Sequence, residues 1–479
     1  MTVANPPPVA LPGAAARAGG DVAGARGVRG LHPDAFPLPG SRSTAEHQWV
    51  ARPEWSSVPT LSVDAADTTH LVLVAARPDD ETLGAGGLLA TAAAADLRIR
   101  VLLLTAGEAS HPDSPSHTPV DLATLQVEET RAALALLAPS ASLSLVDLPA
   151  GCLDSHEDAI VEAIVRTIGE HGATTLVAAP WRHDGHSDHE AAGRAAAVAA
   201  HRTDARLVEY PIWLWHRTAP EAAPWSRFLA LPLSGGVRSR KSHAISVHRS
   251  QVAPLSGDPG DEALLHPGML EHFVRDRETF VLEPPAVDAV FDRVHGDAPD
   301  PWGVDGSWYE ERKRDLTLAA LPRRRFRQAL EVGCSIGALT AQLASRCDSL
   351  LAVDASAVAL ASASRRLGAA PNVRIARAEL PEAWPEGRFD LVVVSEVGYF
   401  LSPERLRRLV TRVEASLTDN GVVVLCHWRQ PIVGWPLDGV RVHEIWRAST
   451  RLAVVAEHRE ADFALDVLGD TSDHRQSEG

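Results

Sequence analysis

The chain has 479 residues, 45% apolar and 23% charged. That globular balance excludes wholesale disorder, and at roughly 100–200 residues per domain it suggests several domains. Its 46 Lys and Arg against 62 Asp and Glu leave a net charge of −16, the wrong sign for a nucleic-acid or anionic-membrane partner.

The chain opens MTVANPPPVALPG, without the basic and apolar regions of a secretory signal, and no run approaches the ~18 apolar residues of a membrane span. The four cysteines (Cys152, Cys334, Cys347, Cys426) form no CxxC pair, so neither a zinc knuckle nor a disulfide framework is expected. A cytoplasmic location is the expectation. Residues 1–45 are rich in Pro, Gly, Ala and Arg, show no period, and read as a flexible leader. Residues 46–62 suit a short strand or hairpin, with Trp49 and Trp55 packing onto the first domain.

From residue 70 strands and helices alternate. Strands are expected at 71–76, 98–105, 143–148, 175–179 and 206–215, with helices at 83–95, 121–138, 157–170 and 188–201. Pro, Gly and Asp then accumulate over 284–306, placing a domain boundary near 285. The alternation restarts with strands at 328–332, 349–353, 373–376, 389–394 and 421–427 and helices at 337–346, 357–367 and 403–417. The expected fold is therefore α/β: two Rossmann-like α/β/α domains in tandem, at 46–285 and 286–479. Ligands in such sheets bind at the carboxyl ends of the strands.

Two clusters stand at such ends. Arg77-Pro78-Asp79-Asp80-Glu81 follows the first strand, and buried carboxylates are costly unless paired or bound to a cation. His183-Asp184-Gly185-His186-Ser187-Asp188-His189 follows the strand ending near Ala179, with His186 and His189 sharing one helix face. Were the two strands neighbours, a carboxylate and a histidine would converge as in a hydrolytic zinc site. In the second half, Glu331-Val332-Gly333-Cys334-Ser335-Ile336-Gly337 forms a glycine turn between strand and helix, and Asp354 ends the next strand, where an acid suits a ribose diol. Cys334 has no neighbouring base and is not expected to be a reactive thiol.

The stretches LVLVAARPDDETLGAGGLLA and HDGHSDHEAAGRA resemble the two motifs of the PIG-L (LmbE-like) N-deacetylases, and EYPIWLWH and KSHAISVHRSQ extend the likeness over 65–285. The resemblance implies that Asp79 is the general base, that Asp80 and His189 are zinc ligands, and that His186 polarises the tetrahedral intermediate. The family's first ligand, a histidine, is Arg77 here, and a guanidinium has no lone pair for a metal. Three readings stay open at this point. The guanidinium replaces zinc electrostatically and the deacetylase is weak or inactive; His183 or another histidine completes the site; or the domain binds without hydrolysing.

LEVGCSIGALT, SEVGYFLS and LCHWRQPIVGWPLDG resemble the nodulation-type N-methyltransferases, class I enzymes that use S-adenosylmethionine, over 290–470. The resemblance implies cofactor contacts from Glu331, Gly333, Ser335, Gly337, Asp354, Ala355, Glu379, Leu380 and Ser395. Ser335 replaces the usual middle glycine, which requires a negative φ. Glu396 and His427 are the implied catalytic side chains, with Tyr399 and Trp428 beside them, and SWYEERKR (307–314) is expected to lid the cofactor. Arg405, Arg407 and Arg408 read as the charged outer face of a helix. A deacetylase exposes an amine and an N-methyltransferase consumes one, so the pairing implies successive action on an N-acetylated amino sugar or glycoconjugate. The alternative is a methyltransferase carrying a metal-free binding or scaffold module. The implied partner is a small-molecule or oligosaccharide amine.

Overall fold

The computed structural model of the chain describes residues 44–63, 67–284, 288–368 and 370–470. Nearly all of the expected leader, and the expected boundary at 285, lie outside these residues. The fold divides into two compact units, the described residues up to 284 forming the first, apart from Arg202–Asp204, and those from 288 the second. No helix among the described residues is long and apolar enough to cross a membrane.

The first unit runs α1 (Glu46–Val50), β1 (His70–Ala75), α2 (Asp80–Ala94), β2 (Arg98–Leu103), α3 (Pro119–Leu137), β3 (Ser142–Leu145), α4 (Glu157–Ile168) and β4 (Thr175–Pro180). It continues α5 (Ser187–Thr203), β5 (Arg206–Tyr210), α6 (Leu214–Arg217), β6 (Phe228–Pro232), α7 (Gly235–Val247), α8 (Arg249–Val252), α9 (Pro267–Leu270) and β7 (Arg277–Val281). The sheet order is β3-β2-β1-β4-β5-β7-β6, with β1 to β5 parallel and β7 antiparallel to both neighbours. The central strand β1 is buried along its whole length, as its apolar run demands of a sheet covered on both faces.

Three local expectations change. Residues 46–57 are helical rather than extended, although Trp49 and Trp55 are buried as expected. The Trp49 indole N–H donates to the Trp215 carbonyl at 3.0 Å. The strand expected to reach 215 stops at Tyr210, because the Asp184 carboxylate accepts the N–H groups of Ile212, Trp213 and Leu214, each at 3.0 Å, and turns the chain into α6. Helix α2 begins at Asp80 rather than Leu83, so the motif carboxylates form its first turn.

That helix kinks at Ala85, whose φ is −140°. The kink frees the N–H groups of Gly87 and Leu88, and the Glu278 carboxylate of β7 accepts both. Lys241 of α7 neutralises Glu278 at 2.7 Å. Gly84 is needed for the same packing: a Cβ there would lie 2.1 Å from Cδ2 of Tyr210.

The second unit runs α10 (Val290–Asp297), α11 (Trp308–Ala319), β8 (Phe326–Val332), α12 (Ala338–Leu343), β9 (Cys347–Asp354), α13 (Ala357–Leu367), β10 (Val373–Arg377) and β11 (Phe389–Ser395). It ends with α14 (Pro403–Ser416), β12 (Leu417–Trp428), α15 (Gly439–Ser449), β13 (Ala453–Arg459) and β14 (Phe463–Gly469). Its sheet order, β10-β9-β8-β11-β12-β14-β13, repeats that of the first unit strand for strand. Helix α10 occupies a stretch that reads as linker; Val290 and Val294, one turn apart, bury its inner face. In both sheets the order reverses beside the first strand, between β1 and β4 and between β8 and β11, and the two motif clusters lie at those points.

Candidate active sites

In the first unit, β1 and β4 are hydrogen-bonded neighbours, so the loops after them converge. Asp79, Asp80, Glu81, His186 and His189 are all buried. Asp80 is fixed by the Arg77 N–H, which donates to its Oδ2 at 2.8 Å. Its Oδ1 faces Nε2 of His189 at 3.3 Å. On the other side of that ring, Nδ1 lies 2.8 Å from Asp184 Oδ2, the same carboxylate that turns the chain after β5. The His186 ring lies tilted against that of His189 at 4.7 Å, and its Nδ1 accepts the Asp188 N–H at 3.2 Å. Asp79 holds a left-handed φ of 93°, unusual for a residue with a side chain.

The electrostatics divide the two aspartates. Burial and then the neighbouring Asp80 push the Asp79 carboxyl up, while Arg77 and His248 pull against them. Burial also works against ionised Asp80, but His189 and Arg77 outweigh it and hold its carboxyl below the usual range. Burial opposes a charged His189, yet Asp80 and Asp184 carry it up to about 9. His248 of the KSHAISVHRSQ segment reaches Glu81 Oε1 at 3.4 Å and Thr82 Oγ1 at 3.0 Å. Neither His248 nor Asp184 stands out in the sequence, since each acts through neighbours that only the fold supplies.

These residues do not fit zinc. Asp80 Oδ1 and His189 Nε2 are buried with no polar partner but each other among the described residues and could serve as metal ligands. The third place belongs to Arg77, which has no lone pair to offer. His183, the possible replacement, is exposed and set edge-on to Trp181 at 5.6 Å. Among the described residues no group of three His, Cys, Asp or Glu side chains is placed to hold a metal.

In the second unit the turn after β8 is held by Val353, whose carbonyl accepts from the N–H groups of Gly333 at 2.8 Å and Cys334 at 3.0 Å. The Ser335 N–H donates to Asp354 Oδ2 at 2.8 Å, and the Ser356 N–H donates to Oδ1 at 2.9 Å. Glu331, Gly333, Ser335, Gly337 and Asp354 are thus gathered at one strand end. A Cβ on Gly333 would fall 2.0 Å from Cγ2 of Val397, so the turn after β11 lies directly against it. Burial pushes the Glu331 carboxyl up to about 8, and Asp354 adds to the rise. Burial likewise pushes the Cys334 thiol up, as an inert cysteine requires.

The negative φ required of Ser335 is not found; the residue sits at 48°. Left-handed backbone costs a non-glycine residue about 1–3 kcal/mol, and Ser335 Oγ is buried with no hydrogen-bond partner among the described residues. Ser335→Gly is therefore expected to raise the denaturation midpoint by the equivalent of ~1 kcal/mol, measured by urea unfolding.

Ala355, Glu379 and Leu380 follow the adjacent strands, where the Ala378 N–H donates to the Asp354 carbonyl at 3.0 Å. Arg405 is not on an outer face: it is buried, 3.2 Å from Glu379 and 2.7 Å from Glu382. Ser395 ends β11, and Glu396 follows with a left-handed φ of 58°. Glu396 Oε1 accepts the Trp428 N–H at 3.1 Å, and Oε2 accepts the Tyr399 hydroxyl.

His427 does not face an acceptor. It is fully buried; its Nε2 accepts the Gly398 N–H at 3.1 Å, and its Nδ1 lies 3.2 Å from Nε2 of His443. His443 Nδ1 in turn lies 2.7 Å from Asp466. With Nδ1–H on both rings every nitrogen is used, so His427 braces the loop after β11 and offers no lone pair to a substrate. Burial and then His443 hold its imidazole neutral, well below the ordinary range. In the SWYEERKR segment, Tyr309 packs edge-on to Trp428 at 5.5 Å, and Lys313 reaches Glu396 at 3.3 Å.

The family described as GlcNAc-PI de-N-acetylase (PIG-L) matches residues 72–200, and the family described as Nodulation protein S (NodS) matches residues 287–442. The chain is a fusion of a PIG-L domain and a NodS-type methyltransferase domain. Nodulation protein S of Rhizobium tropici is 28% identical over 176 residues, spanning 36% of this chain and 71% of that protein. Nodulation protein S of Sinorhizobium fredii is 32% identical over 129 residues, and the match spans 60% of its length. The N-methyltransferase NodS of Bradyrhizobium japonicum, solved in complex with S-adenosyl-L-homocysteine, is 23% identical, with a TM-score of 0.35 over 38% of this chain and 98% of that one.

Proposed function

We propose that the methyltransferase domain moves a methyl group from S-adenosylmethionine to an amine of an amino sugar or glycoconjugate, and that the PIG-L domain binds such a sugar without hydrolysing its N-acetyl group. The observation that carries the first part is the Gly333–Gly337 turn, closed by Ser335 N–H on Asp354 and pressed against the loop that bears Glu396. The turn fits the cofactor: Gly333, Ser335 and Gly337 have positive φ, and the buried Ser335 hydroxyl is unsatisfied among the described residues. Gly333, Ser335, Gly337 and Asp354 would hold the donor, with Ala355, Glu379, Leu380 and Ser395 at the neighbouring strand ends. When bound, the donor supplies an electrophilic methyl group on a sulfonium. Glu396, tethered by Tyr399 and the Trp428 N–H, presents a fixed carboxylate on the acceptor side. N-methylation requires a neutral, aligned amine, so holding and orienting it is most of what these residues must do.

The second part rests on the donor set at Asp80 and His189, which lacks a third ligand. Successive deacetylation and methylation is favoured only by the pairing of the two families. Calorimetric titration of S-adenosylmethionine into the full chain tests the first part. Binding is expected in the wild type, and Asp354→Ala should weaken it by about 1.5–3 kcal/mol, the loss of a buried charged hydrogen bond. A folded wild-type chain that gives no heat at millimolar cofactor would sink the reading.

A further inference from the structure

Helix α11 places Glu310 and Lys313 three residues apart on one face. The Lys313 Nζ is buried, 2.8 Å from Glu310 Oε1 and 3.3 Å from Glu396 Oε1, and lies over the Tyr309 ring at 5.0 Å. One ammonium thus bridges two carboxylates, and the Arg314 guanidinium also acts on Glu310. Two donors beside it are unsatisfied. The Tyr309 hydroxyl and the Trp428 indole N–H are buried without hydrogen-bond partners among the described residues, and Trp428 is only 7% exposed.

Given the methyltransferase reading above, the geometry points to this cluster as the subsite for the acceptor. A protonated amine with a neighbouring oxygen substituent sits between Glu310 and Glu396, Tyr309 or Trp428 donates to that oxygen, and Glu310 takes the amine's proton. Lys313 is a positioning residue that holds both carboxylates. The N–H bond breaks toward Glu310 and leaves its electron pair on nitrogen. That pair forms the N–C bond as the donor's S–C bond breaks and its electrons return to sulfur.

The division of labour follows from the partners. Glu396 spends both oxygens on Tyr399, Trp428 and Lys313, whereas the Glu310 carboxylate has one hydrogen-bond partner among the described residues, Lys313. Burial raises the proton affinity of Glu310, Glu396 adds to the rise, and Lys313 and Arg314 oppose it. Tyr399 and Cys426 also feel the charge of the same carboxylate. The Glu310 backbone N–H is capped by Ser307, so changing the side chain leaves the helix start intact.

The test is a pH series of methyl transfer by the full chain to a chitotetraose carrying one free amine, with fully N-acetylated chitotetraose as control. Glu310→Gln is expected to lower kcat/KM about 100-fold near pH 7, with the deficit shrinking as the pH rises and the amine becomes neutral in solution. Glu310→Asp, which restores the carboxylate, is expected to recover much of the loss. A loss that is the same at every pH, no loss at all, or an Asp variant no better than Gln would overturn the assignment. A wild-type chain that methylates no amine would instead overturn the methyltransferase reading beneath it.

Discussion

Replacing Arg77 with histidine is expected to convert a protein that carries far less than one zinc per chain into one that carries about one. Asp80 and His189 already face each other at 3.3 Å with donor atoms unused, and Asp184 already orients the ring from behind. Such a carboxylate behind a ligating histidine is the usual support of a zinc site. Only the third ligand is wrong, and it is wrong twice: the guanidinium donates no lone pair, and its charge repels a cation. A pair of unit charges ~4 Å apart is worth ~4 kcal/mol at an effective dielectric near 20, enough to outweigh weak two-ligand binding. Metal analysis of dialysed wild-type and Arg77→His protein is the measurement, with hydrolysis of an N-acetylglucosamine substrate as the second readout. Stoichiometric zinc in the wild type, lost on Asp80→Ala or His189→Ala, would show that another group completes the site.

Glu331→Gln is expected to stabilise the cofactor-free protein at pH 8 but hardly at all near pH 4.5. The folded protein holds the Glu331 proton up to about 8, whereas the unfolded chain gives it up near the ordinary glutamate value of 4.5. The stability tied to that proton is complete below the lower value and is lost as pH rises through the upper one. At ~1.4 kcal/mol per unit, the wild type forfeits several kcal/mol across this window, and the glutamine variant does not. Denaturant unfolding of both proteins at several pH values, followed in the transition that includes β8 and β9, reads the difference directly. Parallel curves for the two proteins would show that Glu331 is ionised in the fold.

Periodicity exposed the inner strands of both sheets, because β1 and β11 carry the apolar runs Leu71–Ala75 and Leu391–Val394, which must be covered on both faces. The motif carboxylates, the histidine pair and the glycine turn were equally legible, since each follows such a strand. What stayed hidden depends on partners far away in sequence. Nothing around Tyr210 announces that Asp184 will end its strand, and nothing around Gly87 announces that Glu278 will bridge a kinked helix. His427 looked chemical because it ends a strand; the Gly398 amide and His443 that occupy its nitrogens come from elsewhere in the chain. In α11 the sequence suggests a lid over the cofactor, but nothing in it announces that Lys313 is buried between two carboxylates.

The order of strands within the second sheet also bears on how the chain is made. Among the described residues β14 is the last strand in sequence, yet it lies between β12 and β13. On the ribosome β12 and β13 therefore emerge before the strand that joins them. Until residues 463–469 leave the exit tunnel, the buried run Val422–Trp428 has an open edge, the kind of surface that recruits other chains. The first sheet meets the same condition much earlier, when β7 slots between β5 and β6. A nascent chain interrupted between the two events would carry a finished first sheet and a second one still missing an interior strand. Premature termination in the last segment is thus a hazard for solubility as well as for chemistry.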